Sequence, residues 1–146
     1  ADQIGAIWNH YIRSTACTFH AREKTAADLA DLIATRPTFV AGPGPLLGFA
    51  TYGQLRPGDG YRRSAEHTLY VAPGAQGRGA GADLLAAVTD HARRTGHHSL
   101  WAAISAENPS AVPFHARHGF AFAARIPEAG HKFGRMIDLI LMQKRL

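Results

Sequence analysis

Four glycines within eight residues constrain the fold of this 146-residue chain more than any other feature. They lie in the segment Ala72–Gly81, between an apolar run that ends at Val71 and a stretch of helical periodicity around Leu84. Glycine adopts positive φ and has no Cβ, so such a turn lets backbone N–H groups approach a ligand closely. A helix that begins there adds its positive end, which suits an anion. The segment therefore predicts a strand–turn–helix unit that could hold a phosphate.

Two well-known glycine patterns of phosphate-binding loops do not match this segment. A Walker loop requires Gly-Lys followed by Ser or Thr, which the chain lacks. A dinucleotide fingerprint requires GxGxxG, whereas Gly77, Gly79 and Gly81 follow one another at alternate positions. On these residues alone, the alternative is that the glycine-rich turn has a purely structural role.

Composition and cysteine content limit the class of protein. Apolar residues make up 46% of the chain and charged residues 18%, which predicts one globular domain over residues 1–146. The single cysteine, Cys17, excludes an intramolecular disulfide and is typical of a reducing compartment, so we expect a cytoplasmic protein. No apolar run reaches the roughly 18–20 residues of a membrane span, so no membrane partner is expected.

The charge balance favours a small phosphate-bearing ligand. Sixteen Lys and Arg against eleven Asp and Glu give a net charge of +5, which favours anionic partners. The cations are scattered or paired, as in Arg62-Arg63 and Arg93-Arg94, and form no basic block. Nucleic acid is therefore not an expected partner.

Hydrophobic periodicity predicts a mixed α/β sheet with helices on its faces. A helix is predicted over residues 2–13, and a second follows the capping box of Thr25 and Asp28 and ends before Pro37. A third helix includes Leu84 and ends at Gly96, and a short fourth covers 109–118. The predicted strands cover 38–41, 46–52, 66–71, 99–104, 120–125 and 136–144.

A second motif lies about thirty residues after the glycine turn. Asn108-Pro109-Ser110 is followed by His115 and by Gly119-Phe120. Together with Val71-Ala72-Pro73 and the Gln76–Gly81 turn, this pattern resembles the GNAT superfamily of acetyl-CoA-dependent N-acetyltransferases. The resemblance implies the GNAT fold, a central, mostly antiparallel sheet flanked by helices, and a coenzyme A pyrophosphate held by the glycine turn, with no metal. The cofactor-binding residues it implies are Leu69, Tyr70, Val71, Gln76, Gly77, Arg78, Gly79, Ala80, Gly81, Asn108, Ser110 and His115.

Longer stretches resemble one branch of that superfamily, the phosphinothricin and methionine sulfone or sulfoximine acetyltransferases. The likeness is carried by Ile7–Tyr11, Thr18-Phe19, Glu66–Val71 and His131–Arg135. It implies acetylation of the α-amine of a small amino acid with a compact, tetrahedral polar head, a homodimer, and a pantetheine arm beside Leu69–Val71. The family begins with a strand before its first helix, whereas this chain opens almost at that helix. We therefore expect the first edge strand to be absent from these residues.

Glu66 is the candidate general base. Acetyl transfer requires an amine that has lost its proton, and free α-amines are protonated at neutral pH. Glu66 enters an apolar strand on one face with Thr68 and Tyr70, where partial burial would raise its pKa towards neutrality. The resemblance implies the same role, directly or through a water. A strand-end glutamate in a salt bridge is the alternative.

His115 and Asn108 are candidates beside the cofactor. His115 matches a position where many GNAT enzymes carry a tyrosine that donates a hydrogen bond to the departing sulfur, a role open to an imidazole. A helix-face histidine without a special role is the alternative. Asn108 matches an asparagine beside the cofactor, and its alternative is a helix cap.

Basic and polar side chains in two predicted loops are candidates for substrate binding, and an arginine among them for binding the acidic part of the substrate. A guanidinium group matches carboxylate or phosphinate oxygens with two parallel hydrogen bonds. Solvated loop residues are the alternative for each of them. The candidates before the Glu66 strand are Arg56, Tyr61 and Arg62, and those before the last strand are His131 and Lys132.

Two other functions stay open beside acetylation of a small amino acid. The chain could acetylate a different amine, such as a protein N-terminus, a polyamine or an aminoglycoside. It could also be a non-catalytic domain that binds coenzyme A. A substrate screen distinguishes acetylation of a small amino acid from acetylation of a different amine. Glu66→Gln distinguishes an enzyme from a binding domain, because it should lower the rate of acetylation in an enzyme and leave coenzyme A binding unchanged.

Overall fold

The computed structural model, which describes residues 1–146, has four helices packed on one six-stranded sheet. The mixed α/β architecture predicted from the sequence is confirmed, with every predicted helix and strand present. The helices are α1 (Asp2–Ser14), α2 (Ala26–Thr35), α3 (Ala80–Arg94) and α4 (Ala111–Arg117), with a short 3-10 turn at Asp59–Tyr61. The strands are β1 (Thr38–Ala41), β2 (Gly48–Gln54), β3 (Ser64–Val71), β4 (Ser99–Ser105), β5 (Ala121–Lys132) and β6 (Arg135–Arg145).

The sheet has one parallel pair, and that pair is incomplete. The strand order is β1-β2-β3-β4-β6-β5, and all neighbours are antiparallel except β3 and β4. These two strands pair only from Ser64–Glu66 to Ser99–Trp101. Beyond Glu66 they separate, while β2 and β6 continue to pair along their outer edges. The sheet therefore opens a gap between the carboxyl ends of β3 and β4.

The core lies on both faces of the sheet, as the helical periodicity predicts. One cluster joins α3 to the sheet through Leu84, Leu85, Val88 and Ala92, with Leu100 fully buried beneath them. The other joins α1 and α2 to the opposite face; its buried residues are Ile4, Ile7, Trp8, Ile12, Leu29 and Phe49. Burying side chains of this size contributes about 1.5–3 kcal/mol each, so both clusters stabilise the packing of the helices on the sheet.

The capping box predicted for α2 is confirmed. The Thr25 hydroxyl accepts a hydrogen bond from the Asp28 N–H at 3.2 Å, and the Asp28 carboxylate accepts one from the Thr25 N–H at 2.8 Å. These bonds satisfy two N–H groups that lack partners within the helix.

The end of the chain differs from the sequence prediction. β5 runs to Lys132 instead of ending near 125, and only Phe133 and Gly134, both with positive φ, form the turn to β6. His131 and Lys132 are therefore strand residues, and their prediction as loop residues was wrong. The reason is a break in register between Ile126 and Gly130, which takes up Pro127 and its neighbours. Such a bulge lets a strand continue through residues that favour a turn.

Two smaller features bear on the sequence predictions. β2 begins at Gly48 and not at residue 46. Within residues 1–146 the first strand in the chain is β1, which follows α2. No helix has both the length and the apolar character needed to cross a membrane.

Candidate functional site

A cleft of about 790 Å³ occupies the gap between β3 and β4. Its walls come from both faces of the sheet because the gap cuts through it. α1 and the segment 17–20 that follows it form one wall, and α4 with the start of α3 forms the other. Glu66 is the only acidic residue that lines it. The predicted site residues that line it are Glu66, Leu69, Tyr70, Val71, Gln76, Gly81, Asn108, Ser110 and His115.

The glycine turn forms one end of this cleft. Gly74, Gly77 and Gly79 all have positive φ, and Gly79, in the left-handed conformation, is the N-cap of α3. No side chain caps the helix, so its first N–H groups stay available for a ligand. The predicted strand–turn–helix unit is confirmed. Gln76 and Gly81 of the turn line the cleft, whereas the other residues predicted to bind the cofactor there do not; these are Gly77, Arg78, Gly79 and Ala80.

The edge of β3 that faces the gap has no strand beside it after Glu66. Leu69, Tyr70 and Val71 pair with β2 on their other side. The hydroxyl of Tyr11 donates to the Val71 carbonyl at 2.6 Å, which ties α1 to the end of the strand. Backbone groups at this open edge can hydrogen-bond to a ligand that carries amides, as an added strand would.

Glu66 lies where β3 and β4 separate, half-buried and lining the cleft. Burial raises the pKa of its carboxyl group, and the positive charge of Arg36 partly offsets that rise. Arg36 lies over Gly53, the direct partner of Glu66 on β2, where a Cβ would come within 3.1 Å of the guanidinium. None of the ion pairs in the structure includes Glu66, so the salt-bridge alternative is not what the fold provides.

His115 lies in α4 and is 6% exposed, with both ring nitrogens engaged inside the protein. Nδ1 is 2.7 Å from the Ala111 carbonyl oxygen, and Nε2 is 3.1 Å from Nε2 of His67. Because a carbonyl only accepts, Nδ1 carries the hydrogen, and neutral His115 then accepts at Nε2 from the His67 N–H. A hydrogen bond from His115 to a departing sulfur would require this contact to break.

The two histidines are held neutral by burial. Burial lowers the pKa of His67 to about 3, with a further contribution from the charge of His115. Burial also lowers the pKa of His115, although its bond to the Ala111 carbonyl opposes that effect. Sequence reasoning missed His67. The signal was strand alternation, which puts it on the α4 face of β3, opposite to Glu66.

Asn108 and Ser110 lie at the start of α4 and line the cleft. The Ser110 hydroxyl donates to the Asn108 side-chain oxygen at 3.4 Å. The first turn of α4 bonds to the Asn108 backbone carbonyl, through the Ala111 N–H, and not to its side chain. The Asn108 side chain is therefore not the helix cap of the alternative interpretation.

Three predicted substrate-binding residues lie outside the cleft. Arg56, Tyr61 and Arg62 are exposed in the loop before β3, and the Arg56 guanidinium lies 5.7 Å from the centre of the Tyr61 ring. Arg62 pairs with Asp59 at 3.4 Å. Within one chain the fold does not bring these side chains to Glu66.

The other two predicted substrate-binding residues, His131 and Lys132, point to different environments. His131 is exposed on β5, whereas Lys132 is 4% exposed and its Nζ donates to the Thr18 carbonyl at 2.9 Å. Burial lowers the pKa of Lys132. Lys132 therefore supports the 17–20 wall of the cleft from behind. Sequence reasoning also missed the residues of this wall, because only the fold brings it over the gap; they are Trp8, Tyr11, Cys17, Thr18, Phe19 and His20.

Comparison with known proteins gives consistent results. Residues 6–120 match the model of the acetyltransferase (GNAT) family. The L-methionine sulfoximine/L-methionine sulfone acetyltransferase of Pseudomonas aeruginosa is 38% identical over 98% of this chain and 87% of its own length.

Two solved structures are similar over nearly the whole chain. The Salmonella typhimurium protein yncA, solved with acetyl-CoA, has a TM-score of 0.90 and 36% identity over 99% of this chain and 87% of its own. A ribosomal-protein-alanine N-acetyltransferase from Brucella melitensis has a TM-score of 0.93 and 34% identity over 97% and 91%. The family match and the extent of these similarities together show that the chain belongs to the GNAT family of acetyltransferases.

Proposed function

We propose that this protein transfers the acetyl group of acetyl-CoA to the α-amine of a small amino acid, with Glu66 as general base. The observation that carries the proposal is the separation of β3 and β4, which puts the glycine turn and Glu66 on one cleft. The methionine sulfone and sulfoximine relative supports the substrate class. Phosphinothricin is a third candidate substrate, because the sequence motifs also resemble those of the phosphinothricin acetyltransferases.

The residues of the cleft fit acetyl-CoA, which when bound supplies a thioester as acyl donor. The free N–H groups at the start of α3, within Gln76–Gly81, would bind the pyrophosphate, as anions bind at helix N-termini. The open edge of Leu69–Val71 would pair with the amides of the pantetheine arm. Asn108 and Ser110 would contact the same arm from α4.

The chain's contribution to the reaction is to remove one proton and to align the reactants. Glu66, with its raised pKa, would accept a proton from the substrate ammonium directly or through one water. The freed amine nitrogen would then form its bond to the acyl carbon as the carbon–sulfur bond breaks, and the second proton that this nitrogen loses would pass to the departing thiolate sulfur. Holding both reactants in one cleft removes most of the entropic barrier between them.

His115 stays a candidate for a donor to the departing sulfur, on the condition that its ring leaves His67. The present contacts occupy both of its nitrogens. Replacing His115 by Phe tests this role. If His115 donates a hydrogen bond to the departing sulfur, its loss should lower kcat by about ten-fold or more. An unchanged kcat, with folding confirmed by circular dichroism, would remove His115 from the mechanism.

A substrate screen with thiol release as readout tests the proposal. We expect acetylation of methionine sulfone, methionine sulfoximine or phosphinothricin with kcat/KM well above that for other amines. The second candidate is a protein N-terminus, favoured by the similarity to the ribosomal-protein-alanine acetyltransferase. Turnover of an alanine-terminated peptide without turnover of the three amino acids would favour that candidate and contradict ours.

We also propose that the protein is a cytoplasmic homodimer. The large apolar side chains exposed on the β5–β6 hairpin support a self-association surface, because exposed apolar side chains gathered on one element favour contact with another protein. They are Phe122 at 63%, Ile126 at 40%, Phe133 at 54% and Met136 at 50% exposure. The single cysteine supports a reducing compartment.

A further inference from the structure

A second cavity, of about 470 Å³, lies at the open edge of β2. β1 pairs with β2 only as far as Thr51, so Tyr52, Gly53 and Gln54 have no strand on that side. The second cavity extends from this edge to the ends of α2 and α3, and it shares no lining residue with the cleft of Glu66. Cavities of this size bind small molecules. It is therefore a candidate site that the acetyl transfer described above does not use.

The lining of the second cavity is basic. Four basic residues line it and no acidic residue does; the four are Arg36, Arg62, His91 and His97. Arg36 takes part in none of the ion pairs of the structure. Arg62 pairs with Asp59 at 3.4 Å, but the two side chains are 71% and 93% exposed, and such exposed pairs are weak. Both guanidinium groups are therefore available to carboxylate or phosphate oxygens, which each can bind with two parallel hydrogen bonds.

A buried hydroxyl fixes the α3 side of the second cavity. Tyr52 is 3% exposed, and its hydroxyl lies 2.8 Å from Nδ1 of His91 and 3.2 Å from the Thr95 hydroxyl. Nδ1 of His97 lies 3.2 Å from the Ala92 carbonyl oxygen. Free carbonyls at the end of α3 would repel an anion, but those of His91 and Ala92 accept hydrogen bonds from Thr95 and His97. Nε2 of each histidine stays available to a ligand.

Arg36 connects the second cavity to Glu66. Gly53 is the direct partner of Glu66 on β2, and side chains of such partners lie next to each other on one face of the sheet. Gly53 has no side chain, and the Arg36 guanidinium fills the space, since a Cβ on Gly53 would lie 3.1 Å from its Cζ. Burial raises the pKa of the Glu66 carboxyl group, and the positive charge of Arg36 lowers it by a smaller amount. Arg36 therefore lies between the general base and the second cavity.

We propose that the second cavity binds a small dianion, with carboxylate or phosphate oxygens, through Arg36 and Arg62, and that this dianion regulates acetyl transfer by compensating the charge of Arg36 beside Glu66. The regulatory part rests on the proposed function, in which Glu66 is the general base. An Arg36 whose charge is compensated stabilises the Glu66 carboxylate less, so the carboxyl group keeps its proton to higher pH. The dianion should therefore lower the rate on the acidic side of the pH profile.

Other charged and titratable groups line the two cavities, and the experiment has to keep their effects apart. Protonation of the histidines on the second cavity would change the affinity for an anion, so the Kd of the anion is measured at each pH and its concentration is kept saturating. These groups are Asp59, Arg62, His91 and His97 at the second cavity and Tyr11, Cys17, His20, His67, Tyr70 and His115 at the cleft.

Calorimetric titration tests binding without turnover. Saturating coenzyme A is present throughout, because the glycine turn is the other candidate site for an anion. The probes are succinate, a dicarboxylate, and glycerol 3-phosphate, a phosphate ester, at constant ionic strength. We expect at least one to bind, with a Kd about ten-fold or more weaker for Arg36→Gln, as expected for the loss of hydrogen bonds to a charged group. The probe that binds identifies the kind of oxygen.

Arg117→Gln is the matched control, because Arg117 is exposed and lines neither cavity. Its Kd for the probe should equal that of the unchanged protein. The proposal is overturned if neither probe binds, or if Arg36→Gln binds the probe as tightly as the unchanged protein does.

The pH profile of kcat/KM tests the link to Glu66. A saturating concentration of the bound probe should move the acidic limb to higher pH. Arg36→Gln should move the limb in the same direction without any anion, and adding the anion to this variant should have no further effect. An acidic limb that the anion leaves in place would overturn the regulatory part.

Failure of the proposed function has a different readout, which is the absence of coenzyme A release from acetyl-CoA with every small amino acid in the screen. A protein that binds the dianion through Arg36 but acetylates none of them would keep the binding site. It would lose both the proposed function and the regulation that rests on it.

Discussion

Single residues in this protein acquire their chemistry from where the sheet opens. Glu66 is the last residue at which β3 and β4 still pair, so it combines partial burial with access to the cleft. Its carboxyl group faces no ion-pair partner, and burial raises its pKa. That combination is what a general base near neutral pH requires.

We predict that Glu66→Gln lowers kcat by about 100-fold or more at pH 7, within the range measured for general bases. The carboxylate acts as a base only when it has lost its proton, so kcat/KM of the unchanged enzyme should fall as the pH drops through the raised pKa. The variant should lose this acidic limb and keep its Kd for acetyl-CoA. The matched control is Glu128→Gln, an exposed glutamate on β5. A variant with the pH profile of the unchanged enzyme would show that Glu66 is not the base.

The buried pair of His67 and His115 should make the stability of the protein depend on pH. Burial lowers the pKa of His67 to about 3, whereas a histidine in the unfolded chain titrates near 6.5. Below pH 6.5 the unfolded chain binds more protons, so the free energy of unfolding decreases as the pH falls from there towards 3.

Urea denaturation at pH 7 and pH 5 measures that loss. We expect His67→Phe to lose about 1–2 kcal/mol less than the unchanged protein between these two pH values. His98→Phe, at an exposed position, should lose as much as the unchanged protein. Identical losses in all three proteins would contradict the prediction.

At the scale of elements, α3 carries both a structural and a binding role in its glycines. Gly79 at its start and Gly96 just after its end have φ of 84° and 90°. A Cβ at either position would meet nothing within 4 Å. The two glycines therefore share one backbone requirement, but only Gly79 belongs to the turn that faces the cleft.

This pair separates strain from binding. Gly79→Ala and Gly96→Ala should each destabilise the protein by about 1 kcal/mol, the cost of positive φ for a residue with a Cβ. Only Gly79→Ala should also weaken acetyl-CoA binding, because it alone disturbs the N–H groups at the start of α3. Thermal melts give the first quantity and calorimetry the second. Equal acetyl-CoA affinities of the two variants would remove the turn from the binding site.

At the scale of the whole molecule, the two edges of the sheet differ in what they expose. The β5–β6 edge carries Phe122, Ile126, Phe133 and Met136, whereas the β1 edge exposes Val40 alone among large apolar residues. Several exposed apolar side chains on one hairpin favour contact with a second copy, and an isolated valine does not.

Light scattering at several concentrations tests this difference. We predict a mass of two chains for the unchanged protein and a shift to one chain for Phe122→Glu, because the introduced charge would be buried in the interface. Val40→Glu introduces the same charge at the opposite edge and should leave the mass unchanged. If the unchanged protein has the mass of one chain at every concentration, the proposed homodimer is contradicted.

Local patterns in the sequence were sufficient for most of the fold. Periodicity predicted the core faces of α1 and α3, the Thr25–Asp28 pair predicted the start of α2, and the spacing of glycines predicted the strand–turn–helix unit. These features depend on residues that are close to one another in the chain, so the amino-acid sequence determines them locally. The glycine turn and the Asn108–Ser110 motif also carried the family resemblance.

Only the tertiary structure decided which side chains meet. The bond of Lys132 to Thr18 and the contact of His67 with His115 join residues that are 114 and 48 positions apart. Arg56 and Arg62 lie close to Glu66 in the sequence, yet the fold leaves their side chains outside the cleft that Glu66 lines. The sequence determined the elements because hydrogen bonding and hydrophobic periodicity act locally. The partners of each polar group depended on how a broken parallel pair shapes the sheet, which no local pattern encodes.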